Sequence, residues 1–166
     1  MELPKRKVNR LKGYDYSSPG AYFITICTYN KKCLFGKILN GQMKLNDLGR
    51  IAGNEIEKIE MHYNNVHINK YIVMPNHIHM IIEISETEWM NPFPTIQYDI
   101  SNIVEKLKAG VSRIVGNAFM HSAKSPIWQN SYHDHIIRGN KDYRRIWEYI
   151  DTNAAKWESD CFYADS

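Results

Sequence analysis

His77-Ile78-His79 interrupts an otherwise apolar run from Tyr71 to Ile84. In an extended chain, side chains at i and i+2 point to the same face. Both imidazoles therefore leave one side of a strand together, where they can grip one divalent cation. Histidine suits that task because its neutral ring offers a lone pair near pH 7. Two imidazoles and one further ligand leave positions open for a phosphate oxygen and water. That is a catalytic pattern, whereas a structural zinc would want four protein ligands. The plain alternative for His77 and His79 is a pair of strand histidines satisfied by hydrogen bonds.

A second pair lies about seventy residues on. Tyr149 and Asn153 are four apart in a helical pattern and share one helix face. Asp142, Arg145, Tyr149, Asn153 and Lys156 are spaced 3, 4, 4 and 3, a polar line along the flank of the apolar stripe. Tyr149 is thus placed to meet a ligand, while Tyr143 falls in the stripe. The plain alternative is a half-exposed ring covering the edge of the core. A free phenol has a pKa of about 10, so only about a thousandth is ionised at pH 7. As a nucleophile it needs a cation on its target, and Asn153 can reach the same ion. A histidine pair, a helical tyrosine and a nearby amide are the parts needed to cut a DNA strand through a phosphotyrosine.

The elements that must position these residues can be read from periodicity. Ala21–Tyr29 is rich in β-branched and aromatic residues and predicts a strand. Leu34–Leu39 and Gln42–Leu45 flank Asn40-Gly41, the strongest short hairpin signal. Asn46 caps a helix whose stripe is Leu48, Ile51, Ala52, Ile56, Ile59 and Tyr63. Strands follow at about Val66–Met74 and His77–Ile84, parted by Pro75-Asn76. Asp99 or Ser101 caps a helix striped by Ile100, Ile103, Val104, Leu107, Val111, Ile114, Val115 and Ala118. Ser131–Arg138 predicts a strand, and Lys141–Trp157 the last helix. The order is that of an α+β, ferredoxin-like split β-α-β antiparallel sheet. Two helices should cover one face, and the tyrosine-bearing C-terminal helix part of the other. The histidines should face that second side, open to ligands.

A chain of 166 residues is most simply one domain, 1–166, with a basic N-terminal arm over 1–19 and an irregular loop over 85–98. No window approaches the roughly 18 apolar residues of a membrane span, and the first residues lack an apolar signal region. Cytoplasmic, nucleoid-associated residence is expected, with no membrane partner. Cys27, Cys33 and Cys161 are an odd count without a Cys-x-x-Cys and suit reduced thiols. The net charge is only +3, yet Lys5, Arg6, Lys7, Arg10 and Lys12 crowd the start of the chain, as suits a polyanion. The bland reading is a solvated tail.

Four segments together resemble the REP-associated tyrosine transposases, relatives of the single-strand insertion-sequence transposases. They are Leu11–Tyr16, Gly20–Tyr29, Val73–Met80, and Trp128–Arg138 running on to Tyr149–Asn153. The resemblance implies that His77 and His79 are a metal pair for Mg²⁺ or Mn²⁺, with Asn153 as third ligand. It implies that Tyr149 attacks single-stranded DNA beside a hairpin-forming repeat, leaving a 5′-phosphotyrosine and a free 3′-hydroxyl. Single-stranded or hairpin DNA is then the partner. A homodimer is left open, and with it whether Tyr149 serves its own histidine pair. Lys5, Arg6, Lys7, Arg10, Lys12, Lys106, Lys108, Arg145 and Lys156 are the candidate phosphate contacts; Tyr14, with Tyr16 and Tyr29, could stack on bases. His133 and His135 form a second His-x-His on a strand, read as ordinary polar residues or at most DNA contacts. Where relatives carry Asn-Pro, this chain has Asn153-Ala154, which should let the helix run longer. Two other readings compete with a DNA-cutting transferase: a catalytically inactive repeat-DNA-binding module, and a water-using metallonuclease that leaves Tyr149 idle.

Overall fold

The computed structural model describes residues 11, 13–86, 98–118 and 126–164. Lys5, Arg6, Lys7, Arg10 and Lys12 of the basic arm, and residues 87–97 of the irregular loop, lie outside the described residues.

The elements run β1 (Gly20–Cys27), β2 (Gly36–Leu39), β3 (Gln42–Leu45), α1 (Asp47–Glu57), α2 (Ile59–His62), β4 (Val66–Val73), β5 (His77–Ile84), α3 (Ile100–Ala118), β6 (His133–Ile136) and α4 (Gly139–Thr152). The main sheet has the order β4-β5-β1-β6 with every neighbouring pair antiparallel. β1 and β4 therefore run parallel with β5 slotted between them, the split β-α-β arrangement expected from the sequence. β2 and β3 form a separate hairpin. Its two turn residues, Asn40 and Gly41, both take positive φ, at +52° and +72°, as a two-residue turn between twisted strands requires.

The two faces of β5 divide the molecule. Ile78, Met80, Ile82 and Ile84 join Tyr22, Ile24 and Ile26 of β1 in the main core. That core is closed by Ala52 and Ile56 of α1 and by Ile100, Ile103, Leu107 and Val111 of α3. Asn46 caps α1, its side chain accepting from the Gly49 amide at 2.9 Å. Asp99 does the same for α3, accepting from the Ser101 amide at 2.8 Å. The opposite face carries a smaller cluster in which Ile81 meets Ile146 and Ile150 of α4, with Phe23, Ile72, Tyr143 and Trp147 around them. α4 thus covers the second face.

Two sequence expectations need correction. The helix expected over Asn46–Tyr63 is broken at Lys58 into α1 and a single turn, α2. The last helix starts at Gly139 and ends at Thr152, so Ala154 does not lengthen it. Instead the chain turns at Asn153 and re-forms as a short 3-10 turn, Trp157–Ser159. Helix propensity is a weak preference that tertiary contacts override. Here the turn folds Trp157 to 6.0 Å from the His77 ring and returns Asp160 to Asn153. Lys156 therefore leaves the flank line it shares with Tyr149 in the sequence.

Candidate active site

β5 is the central strand against which both layers pack, and only Glu83 on it is not fully buried. The His77 and His79 rings leave its α4 face 4.4 Å apart. Their burial, 0% and 1% exposed, differs from the open placement expected from the sequence. The cover comes from the chain beyond α4. Phe162 lies 4.7 Å from His77 and 5.8 Å from His79, and Trp157 completes the shell. No helical or strand periodicity announces a segment that folds back in this way.

The ring orientations are set by neighbours. Asn76 donates through Nδ2 to the carbonyls of Lys31 (3.1 Å) and Phe162 (2.8 Å). Its Oδ1 must then accept, and it does so from His77 Nδ1–H at 2.8 Å. His77 Nε2 is thereby the unprotonated atom, and it is buried without a hydrogen-bond partner. His79 Nδ1 shares a 2.8 Å hydrogen bond with the Thr25 hydroxyl. A hydroxyl can donate or accept, so the Thr25 contact by itself leaves the His79 tautomer open. Burial pushes the His77 imidazole down to about 4, the Asp160 charge opposing it. Burial, then the His77 charge, pushes His79 well below its ordinary value. Both rings are neutral near pH 7, the form that binds a cation.

Tyr149 Oη is 3.2 Å from His79 Nε2 of its own chain and donates to Asp160 Oδ2 at 2.9 Å. Burial, reinforced by that hydrogen bond to an anion, raises the phenol above its usual value. Asn153 is 1% exposed and donates through Nδ2 to Asp160 at 2.5 Å. Its Oδ1 is left buried and unpartnered. Donor atoms of His77, His79 and Asp160 all lie within 4.8 Å of one another.

His77 Nε2 and Asn153 Oδ1, both buried and without a hydrogen-bond partner among the described residues, thus sit beside a carboxylate. An isolated buried acceptor is costly, and a cation would satisfy both at once. The residues fit a divalent ion. Asp160, Asn76 and Thr25 are parts that sequence reasoning missed. Asp160 stands eleven residues past Tyr149, beyond the helix end, where spacing carries no signal.

The other sequence candidates scatter. Arg145 pairs with Asp142 on the exposed flank of α4. Lys156 lines a cleft of about 630 Å³ between the β2–β3 turn and residues 154–159. Lys106 lies on the α1/α3 side, over the Tyr63 and Tyr98 rings. Lys108 donates to the carbonyls of Gln129 and Ser131 and so ties down the segment before β6. Tyr14 packs edge-on against Tyr16 and Tyr22, and Tyr16 is itself core. Tyr29 is exposed. No helix among the described residues is long and apolar enough to cross a membrane.

Comparison with known proteins adds an independent line. Residues 20–153 match the family described as Transposase IS200 like. An uncharacterized protein of Haemophilus influenzae is 42% identical over 172 residues, covering 96% of this chain and 94% of its own. Among solved structures, a REP-associated tyrosine transposase bound to a REP hairpin aligns with a TM-score of 0.63 at 22% identity, over 89% of this chain and 73% of that one. A candidate transposase from Deinococcus radiodurans aligns with a TM-score of 0.51 at 20% identity, over 86% and 95%. At these identities the likeness to the two structures is one of fold.

Proposed function

The chain belongs to the family of IS200-like transposases, enzymes that act on DNA, and from that premise we propose that it nicks and joins single-stranded DNA through a 5′-phosphotyrosine on Tyr149. The observation that carries this reading is the meeting of the Tyr149 hydroxyl with His79, and through Asp160 with His77 and Asn153, beside a His77 Nε2 and an Asn153 Oδ1 that are buried without a hydrogen-bond partner. A water-using nuclease would have no need of a phenol at that point.

In this reading His77 Nε2, His79 Nε2, Asn153 Oδ1 and a carboxylate oxygen of Asp160 would hold Mg²⁺ or Mn²⁺. The nitrogen content of that set favours Mn²⁺ over Mg²⁺. A divalent ion, when bound, draws charge from the scissile phosphate and stabilises the transition state. Tyr149 Oη forms a bond to phosphorus as the bond from phosphorus to the 3′ oxygen breaks. The phenol proton passes to Asp160, its hydrogen-bond acceptor, and the departing 3′ oxygen takes a proton from water. Asn153, one helical turn from Tyr149, links the nucleophile's position to the ion. The scissile phosphate must enter where Phe162 now covers the histidines, so residues 161–164 move aside during the cycle while Asp160 stays on Tyr149 and Asn153. The DNA is a single strand beside a hairpin-forming repeat, a reading supported by the structural neighbour bound to a REP hairpin.

The test is capture of a covalent adduct. A single-stranded oligonucleotide carrying a hairpin repeat, incubated with the wild-type protein and Mn²⁺, should yield a tyrosine-linked DNA species by denaturing gel and mass spectrometry. Tyr149→Phe should bind the oligonucleotide and form none. Cleavage retained by Tyr149→Phe would replace the proposal with hydrolysis by water. Tight binding by the wild type without cleavage would leave a DNA-binding module.

A further inference from the structure

Residues 28–32 form a loop against the site that the chemistry above does not use. Asn30 and Lys31 both stand at φ +53°, a left-handed conformation that non-glycine residues seldom adopt, lysine less readily than asparagine. Such strain persists where the surroundings over-determine it and clusters at functional sites. Here Asn76 is one of the anchors, beside the bond from the Tyr29 amide to the Ile127 carbonyl at 2.8 Å. The Thr28 amide donates to the Asn76 carbonyl at 2.9 Å, and the Thr28 hydroxyl is shared between that carbonyl at 2.9 Å and the Lys32 carbonyl at 2.8 Å. Asn76 Nδ2 in turn donates to the Lys31 carbonyl at 3.1 Å. The same Asn76 side chain orients His77, so Lys31 is held in register with a residue of the site.

The Lys31 ammonium has only provisional partners. It donates to the Cys161 carbonyl at 3.3 Å and lies 5.5 Å from the centre of the Phe162 ring. That ring also touches His77, at 4.7 Å. No carboxylate pairs with Lys31 among the described residues. Both partners belong to the segment that a substrate must displace. A phosphate oxygen is a stronger acceptor for an ammonium than a neutral carbonyl. Residues 29–46 carry four lysines and no acid, a locally positive stretch of chain.

We propose that Lys31 is a further catalytic residue, whose ammonium takes a non-bridging oxygen of the scissile phosphate in place of the Cys161 carbonyl. There it stabilises the charge that builds on that oxygen as the bond from Tyr149 Oη to phosphorus forms and the bond to the 3′ oxygen breaks. The inference rests on the tyrosine chemistry proposed above.

The experiment measures single-turnover adduct formation at saturating oligonucleotide and Mn²⁺, beside oligonucleotide affinity by fluorescence anisotropy and Mn²⁺ binding by calorimetry. Lys31→Met should slow the chemical step by roughly 10²-fold, the loss typical of one oxyanion donor, with Mn²⁺ binding unchanged. Lys31→Arg should recover most of the rate. Lys31→Gly separates charge from shape, since glycine accepts the positive φ without strain; it should be as slow as Lys31→Met. Wild-type rates in Lys31→Met or Lys31→Gly, with the wild-type protein forming its adduct, would overturn the Lys31 role alone. A wild-type protein that forms no Tyr149 adduct would overturn the tyrosine reading and this inference with it.

Discussion

His77-Ile78-His79 and His133-Asp134-His135 are the same motif met twice, on the same side of one sheet. Thr25 of β1 pairs with His79 across one edge and with His133 across the other. The two pairs nonetheless live in different chemistry. His77 and His79 stand on a central strand, enclosed by Tyr149 and the returning C-terminal segment. His133 and His135 stand on the edge strand and are exposed. Asn76 and Thr25 orient the first pair inside the protein, whereas His135 bonds to Asp142 at the half-exposed start of α4. Spacing of i and i+2 decides only where two rings point. Depth in the sheet, and what folds over that depth, decides whether they can hold an ion away from water.

The harshest trial of this contrast is to delete each pair. His77→Ala with His79→Ala should abolish Mn²⁺ binding by calorimetry and, with it, adduct formation. The same double substitution at His133 and His135 should leave Mn²⁺ affinity unaltered. Equal losses in the two variants would mean that the edge pair is a ligand set too and that burial is not the discriminator.

What the sequence made legible follows the same division. The alternation of β5 placed His77 and His79 on the face opposite Ile78, Met80 and Ile82, because a strand's period of two admits no other outcome once the core face is chosen. The four-residue spacing of Tyr149 and Asn153 survived because both lie within reach of α4's regular geometry. Periodicity ends where the helix ends. Asp160 and Phe162 reach the site through a turn at Asn153 that no repeat encodes, so the enclosure was invisible although both histidines were not. Asn76 was legible only as a break between strands. Its role as an orienting amide depends on the carbonyls of Lys31 and Phe162, each brought there by tertiary folding.

A milder probe keeps both rings and removes only what orients one. Asn76→Ala deletes the acceptor that holds the proton on His77 Nδ1. Loss of such an orienting partner typically weakens metal affinity by 10- to 100-fold, so the expected outcome is an Mn²⁺ dissociation constant raised by roughly that factor. The two Thr28 hydrogen bonds use the Asn76 backbone carbonyl and should survive. An unchanged dissociation constant would show that burial alone fixes the ring, and would simplify the contrast to one of depth.

Acid offers a further handle, because the buried rings resist protonation. Burial holds His77 down to about 4 and His79 well below its usual value. Between those values and the unfolded value of about 6.5, the unfolded chain binds more protons than the native one. Stability without metal is therefore complete above about pH 6.5 and falls as pH drops towards 4. At its steepest the slope approaches about 1.4 kcal/mol per pH unit for each ring. Urea unfolding between pH 7 and 5 measures it. The His77→Ala, His79→Ala variant should lose most of that slope, and the His133→Ala, His135→Ala variant should keep it.

The smallest expected effect belongs to His135 alone. Its Nε2 bonds to Asp142 Oδ2 at 2.7 Å, with the ring about half exposed. Asp142 keeps two other partners if that ring goes, Arg145 Nη2 at 2.8 Å and the Arg138 amide at 3.2 Å. It also keeps its place in the first turn of α4, where a negative charge opposes the helix dipole favourably. Exposed pairs of this kind contribute about 0.2–1 kcal/mol. His135→Ala should therefore cost under about 1 kcal/mol in urea unfolding, with adduct formation close to the wild-type rate. A tenfold slower adduct at unchanged stability would place His135 on the DNA path, and the edge pair would then differ from the central pair in its partner, a phosphate in place of a metal ion, and not in whether it takes part.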